Sequence, residues 1–105
     1  MAQDTDIDLL RRVTEIDDFC GSVLFKDETQ DWNLARDFGS YLVRVRASDL
    51  CGHLLLARSY RHLGDPARAA EELALCRSLL DVDESEMERA ALTPVVETEE
   101  RLLAL

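Results

Sequence analysis

The stretch LARSYRHLGDPARA, residues 56–69, decides the fold of this chain. At its centre, Gly64 tolerates the left-handed turn that often ends a helix. Asp65 is a helix-capping residue, and Pro66 suits the first turn of a helix, where a missing N–H does no harm. One helix is therefore predicted to end at Gly64 and a second to begin after Asp65.

Apolar residues recur at the three- and four-residue spacing of a helix on both sides of this turn. Upstream, two more helices are predicted, at about residues 6–25 and from Trp32 onward. Gly39 in the second of these favours close packing of another helix. Downstream, a helix opens near Glu84, and Pro94 predicts a break before a final helix, with a single kinked helix as the alternative.

Composition favours the same fold class. The chain of 105 residues is 47% hydrophobic but only 6% aromatic, with four glycines and two prolines. Strand-rich domains usually contain more turn residues and more β-branched and aromatic side chains. The length fits a single domain spanning residues 1–105.

The residues around the turn follow a fixed spacing: Leu56, Ala57, Tyr60, Gly64, Asp65 and Ala69. This spacing resembles the core of a tetratricopeptide repeat (TPR), a helix-pair family. The resemblance implies an all-α, TPR-like right-handed solenoid of antiparallel helix pairs, with about two repeats plus a C-terminal capping helix or helix pair. The best repeat covers about 50–83, a degenerate one about 16–49, and the cap 84–105. Asp81 stands where the family has a closing proline.

The charge pattern restricts the class of partner. The net charge of −10, from 22 acidic and 12 basic residues, repels phosphate backbones and anionic lipid headgroups. We therefore expect no nucleic-acid and no membrane binding. Residues 38–77, with six basic and four acidic side chains, are net +2, whereas the segments on either side are each net −6.

Cysteine usage and hydropathy indicate the compartment. Three cysteines without a C-x-x-C spacing fit a reducing environment better than a disulfide scaffold. Residues 1–6 are acidic and polar, unlike a secretory signal. No apolar run reaches the length of a membrane span. A cytoplasmic location is the expectation.

Catalysis has little support in the sequence. Cys51 and His53 are two residues apart and point to different sides of a helix, so they do not form a nucleophile–base pair. Cys20 and Cys76 lie on apolar stripes, where cysteine behaves as a small hydrophobe. His62 meets a cysteine only if the fold brings the two together. We expect no enzymatic activity, no metal and no cofactor.

The TPR resemblance implies that a partner binds on the concave face, which the first helix of each pair lines. Carried onto this sequence, the partner-binding residues are Leu24, Leu54, Arg58, Arg61 and His62. The last three share one side of a helix and form a cationic cluster suited to a protein or an acidic peptide. The alternative is a solvated face whose charges Asp27 and Glu28 balance.

A second hypothesis, a self-associating structural protein, rests on the apolar C-terminal stripe. Val95, Val96, Leu102 and Leu103 form heptad-spaced pairs near the C-terminus. They predict either packing against the preceding helix or a self-association surface, and hence a homodimer. For Trp32 the sequence also allows two predictions, an aromatic residue in the core or an exposed anchor of an interface.

Overall fold

A computed structural model of the protein describes Leu24 and residues 31–105. This part of the chain forms four helices and no strand, which confirms the predicted all-helical fold class. The helices are α1 (Trp32–Val45), α2 (Leu50–His62), α3 (Pro66–Val82) and α4 (Glu86–Ala104). The helix predicted at about residues 6–25, and with it most of the first half of the degenerate repeat, lies outside the described residues.

Each helix begins at a capping side chain that accepts a hydrogen bond from the backbone N–H three residues further on. This satisfies one of the donors that a helix start leaves unpaired. The four bonds are Asp31 with Leu34 (3.0 Å), Asp49 with Gly52 (3.0 Å), Asp65 with Arg68 (3.2 Å) and Ser85 with Glu88 (3.2 Å). The predicted turn is confirmed, because Gly64 has a φ of 82° and Pro66 follows the Asp65 cap as the first residue of α3.

Helices that are adjacent in the chain pack against one another, and α2 lies at the centre. Helix α1 packs on α2, α2 on α3, and α4 on α3 with a smaller contact to α2. The larger apolar core joins α2, α3 and α4 with Leu24, and it includes the fully buried Leu54, Cys76 and Val96. A smaller cluster around Ala35 and Leu55 joins α1 to α2.

A pair of glycines sets the distance between α1 and α2. Gly39 and Gly52 are both buried at the crossing of the two helices. A Cβ atom on Gly39 would lie 2.9 Å from Cγ of Leu56 and 3.1 Å from the carbonyl oxygen of Gly52. The close packing predicted from Gly39 is confirmed, and Gly52 is its unpredicted counterpart.

Helix α4 is continuous through Pro94, so the predicted break at this residue is wrong and the alternative of a single helix is correct. Proline removes one backbone hydrogen bond from a helix. Burial opposes this cost, because Leu92 before the proline and Val95 and Val96 after it are all buried. A break would remove part of this apolar surface from the core. Burial therefore outweighs the local preference of the Thr93–Pro94 pair.

The glycine crossing makes a testable prediction. Alanine at an ordinary helix position is more favourable than glycine by about 1 kcal/mol. At Gly39 we expect the opposite sign, with Gly39→Ala lowering the free energy of unfolding by about 1 kcal/mol, because the added methyl group overpacks the contact with Leu56. Urea unfolding measures the change. Ser40→Ala, one residue further on, is the control, and a Gly39→Ala variant as stable as this control would contradict the packing described here.

Candidate functional site

A cleft of about 350 Å³ opens between α2 and α4. Its walls are mostly apolar and its base carries charged groups. The lining residues are Leu24, Arg58, Arg61, Pro94, Val95, Thr98, Glu99 and Leu102. The cleft combines an apolar wall with a small number of polar groups, which is typical of sites that bind a ligand or a partner side chain.

The base of the cleft is a carboxylate held between two guanidinium groups. Arg58 donates from Nε to Oε1 of Glu99 at 2.7 Å. Arg61 donates from Nε to Oε2 at 2.7 Å and from Nη2 to Oε1 at 3.1 Å, so it contacts both oxygens. Bonds between ionised groups in this forked geometry are among the stronger hydrogen bonds in proteins. They tie the end of α4 to the end of α2.

Glu99 is ionised despite its position in the interior. Its side chain is 1% exposed. Burial favours the neutral carboxyl, but the hydrogen bonds from Arg61 and Arg58 outweigh burial and lower the pKa of Glu99 below its ordinary value of 4.5.

The pattern of α4 explains why Glu99 faces inward. Leu92, Val96, Glu99 and Leu103 are spaced four, three and four residues apart, which places them on one side of a helix. Glu99 therefore occupies a core position in an otherwise apolar stripe. The prediction missed this residue, although an acidic residue at a core position of an apolar stripe is a signal that the sequence contains. Asp27 and Glu28, the acids expected to balance the arginines, lie outside the described residues.

The structure brings together three of the five predicted partner-binding residues, since Leu24, Arg58 and Arg61 all line the cleft. Leu54 is fully buried in the core. His62 is exposed, and its ring stacks on Trp32 with a centroid distance of 3.8 Å and an interplanar angle of 3°. It is not among the residues that line the cleft, although its Nε2 lies 3.2 Å from Nη2 of Arg61. Trp32 itself is half-buried.

The residues predicted for self-association divide between core and cleft. Val96 is fully buried, and Leu103 is half-buried against the core. Val95 is 8% exposed and Leu102 39% exposed, and both line the cleft. The packing alternative therefore describes Val95, Val96 and Leu103, whereas Leu102 is the most exposed of the four. Residues of the predicted partner-binding site and of the predicted self-association surface therefore line the same cleft.

His53 and Cys76, two further side chains that could be reactive, are both buried. His53 is 5% exposed; its Nε2 donates to the carbonyl oxygen of Ala47 at 2.6 Å, and its Nδ1 lies 2.6 Å from Oε2 of Glu72. Burial, with a contribution from Glu72, raises the pKa of Cys76 to about 12, so this thiol is protonated at neutral pH. Within Leu24 and residues 31–105, no group of three or more His, Cys, Asp and Glu side chains is arranged to hold a metal ion.

Comparison with known proteins identifies no relative of this chain, so the site is interpreted from its geometry. No protein-family model matches the chain, and no curated protein or solved structure matches it significantly. None of the four described helices is both long enough and apolar enough to cross a bilayer.

The buried carboxylate predicts a large effect of a small substitution. Glu99→Gln keeps the shape of the side chain but leaves two partly buried guanidinium groups facing a neutral amide. We expect the free energy of unfolding at pH 7 to fall by about 3 kcal/mol, because removing one partner of a buried ion pair leaves uncompensated charge. Urea unfolding followed by circular dichroism measures the loss. Glu97→Gln, at an exposed position of the same helix, is the control and should change stability little.

The same carboxyl predicts how stability depends on pH. Because the pKa of Glu99 is lower in the folded than in the unfolded protein, its ionised form stabilises the fold above pH 4.5. This contribution is lost as the pH falls below 4.5 and through the pKa of the folded protein. The free energy of unfolding of the unmodified protein should therefore fall more steeply on acidification than that of Glu99→Gln. Parallel pH profiles would contradict this account of the cluster.

Proposed function

We propose that the protein is a protein–protein interaction module that holds a segment of a partner in the cleft between α2 and α4. In this proposal α2 and α3 form one TPR-like helix pair of a right-handed array, and α4 is its cap. The observation that carries the proposal is the composition of the cleft, in which an apolar wall surrounds a base where the partly exposed guanidinium group of Arg61 reaches solvent.

The charge at the base is accessible through Arg61. Its side chain is 24% exposed, whereas that of Arg58 is 9% exposed. A guanidinium group has five N–H donors. Within the described part of the chain, no hydrogen bond is formed by the Nη1 donors of Arg61. Arg58 thus mainly holds Glu99, while Arg61 holds Glu99 and also offers an edge to a partner.

The chemistry of the wall and base specifies the partner segment. Leu24, Val95 and Leu102 suit an aliphatic or aromatic side chain, and the edge of Arg61 suits a carboxylate beside it. The volume of about 350 Å³ fits a short segment rather than a folded surface. We therefore expect a protein or peptide in which an acidic residue lies next to an apolar one. At physiological ionic strength, salt largely screens repulsion from exposed acidic residues that lie more than about 8 Å from the bound segment.

Selection from a library of random peptides tests the proposal directly. A displayed library, panned against the full chain, should become enriched in Asp or Glu adjacent to Leu, Ile, Val or Phe. For a selected peptide, Arg61→Gln should weaken binding about tenfold or more, because it removes a charge-assisted hydrogen bond to the peptide and also the bonds to Glu99 that shape the base of the cleft. Leu102→Ser should also weaken binding, and it leaves the Arg58–Glu99–Arg61 cluster intact.

The control for both variants is Arg89→Gln, which removes one positive charge from an exposed position of α4 away from the cleft. Circular dichroism of each variant checks that it remains folded. Binding that survives both Arg61→Gln and Leu102→Ser, or a library with no enriched peptide, would contradict the proposal.

A further inference from the structure

Arg101, an exposed residue of α4, lies at the outer rim of the cleft. Its Nη2 donates to the hydroxyl oxygen of Thr98 at 3.2 Å, and Thr98 is one of the residues that line the cleft. The same hydroxyl group donates to the carbonyl oxygen of Pro94 at 2.8 Å, which fixes its position. The guanidinium group of Arg101 is therefore held beside the mouth of the cleft.

The helical periodicity of α4 explains this position. Successive residues are turned by about 100° around an α-helix. Counted from Glu99 at the base, Val95 and Leu102 come next around the helix, then Thr98, and then Arg101. The apolar wall of the cleft thus lies between a guanidinium group at the base and another at the rim.

The charge of Arg101 is not used within the described part of the chain, where no carboxylate forms an ion pair with it. Its neighbour Glu100 is paired with Arg77. Glu97, one turn earlier on α4, is an acid that could compete for Arg101, but the guanidinium group is turned toward Thr98 instead. In a chain with a net charge of −10, this leaves a cation available beside the cleft.

We propose that Arg101 is a specificity-determining residue of the cleft, and that the bound segment carries a second acidic residue, which Arg101 binds. The inference rests on the proposed function, because it concerns the same segment. One acid contacts the edge of Arg61 at the base, the apolar residue packs on the wall, and the second acid reaches the rim. Thr98 is a positioning residue, since its hydroxyl group holds the guanidinium group of Arg101.

The width of α4 gives the spacing of the two acids. Base and rim lie on different sides of the wall that α4 forms, so they are separated by about 10 Å, the diameter of a helix. An extended peptide advances about 3.3 Å per residue. The two acids should therefore be about three residues apart in the segment, with the apolar residue between them.

The chemistry of Arg101 suits a carboxylate. A guanidinium group has five N–H donors in a fork that fits the two oxygens of a carboxylate. Thr98 accepts a bond from Nη2 alone, so most of these donors remain for a ligand. Because Arg101 is exposed, the contact should change the dissociation constant only about fivefold. Its main effect is on which segments bind.

The peptides that the full chain selects from a random library give the first test. Those that bind through Arg61 and Leu102 should contain a second Asp or Glu about three residues from the first, with the apolar residue between the two. One such peptide is then synthesised in two forms, an acidic peptide with the second acid and an amide peptide in which Asn or Gln replaces that acid.

The affinities of both peptides for protein variants measure the contact itself. Arg101→Gln should weaken binding of the acidic peptide about fivefold and leave binding of the amide peptide unchanged. Thr98→Val keeps the shape of the side chain but removes the hydroxyl group, and it should cause a smaller loss, again for the acidic peptide alone. Arg89→Gln, which removes a charge from an exposed position of α4 away from the cleft, is the control and should affect the acidic peptide little.

The outcomes separate this inference from the proposed function. Peptides that require Arg61 and Leu102 but lack a second acid, or that bind Arg101→Gln as tightly as the unmodified protein, would overturn the role of Arg101 and leave the proposed function standing. An equal loss for both peptides in Arg101→Gln would also overturn it, because the second acid would then make no specific contact. Binding that is insensitive to Arg61→Gln and Leu102→Ser, or the absence of any enriched peptide, would remove the proposed function and this inference with it.

Discussion

The described structure depends on one buried ion cluster, the Glu99 carboxylate between the guanidinium groups of Arg58 and Arg61. An ionised carboxylate loses its hydration in the interior, and it remains charged there only where hydrogen bonds and opposite charges replace the water. Two positions one turn apart on α2 supply these partners. Because Glu99 must reach them, the rotation of α4 and its distance from the end of α2 are fixed together.

The cleft follows from this constraint. The guanidinium groups draw the polar position of α4 toward α2, and the apolar residues next to Glu99 then form a wall. Two guanidinium groups on one carboxylate leave the edge of Arg61 exposed at the base. In the proposed function, the same atoms of Arg61 serve both the stability of the fold and the recognition of a partner. In another part of the fold, Gly39 and Gly52 allow α1 to approach α2 closely.

The sequence predicted the features that depend on neighbouring residues. Gly64, Asp65 and Pro66 define a turn within three positions, and the structure shows that turn. The sequence favoured a break at Pro94 over a single helix, because the local effect of the proline is opposed only by burial of residues against helices elsewhere in the chain. Glu99 was missed for a similar reason. Its partner Arg61 is 38 residues away, and only the packing of α4 across α2 makes the two meet.

A double-mutant cycle between Arg61 and Glu99 tests the central claim most directly. The free energies of unfolding of the unmodified protein, Arg61→Ala, Glu99→Ala and the double variant give the coupling between the two side chains without the other effects of each substitution. A coupling of about 2 kcal/mol at neutral pH is expected if the pair holds α4 on α2. Losses that add to within about 0.3 kcal/mol would contradict the account, since the two side chains would then act independently.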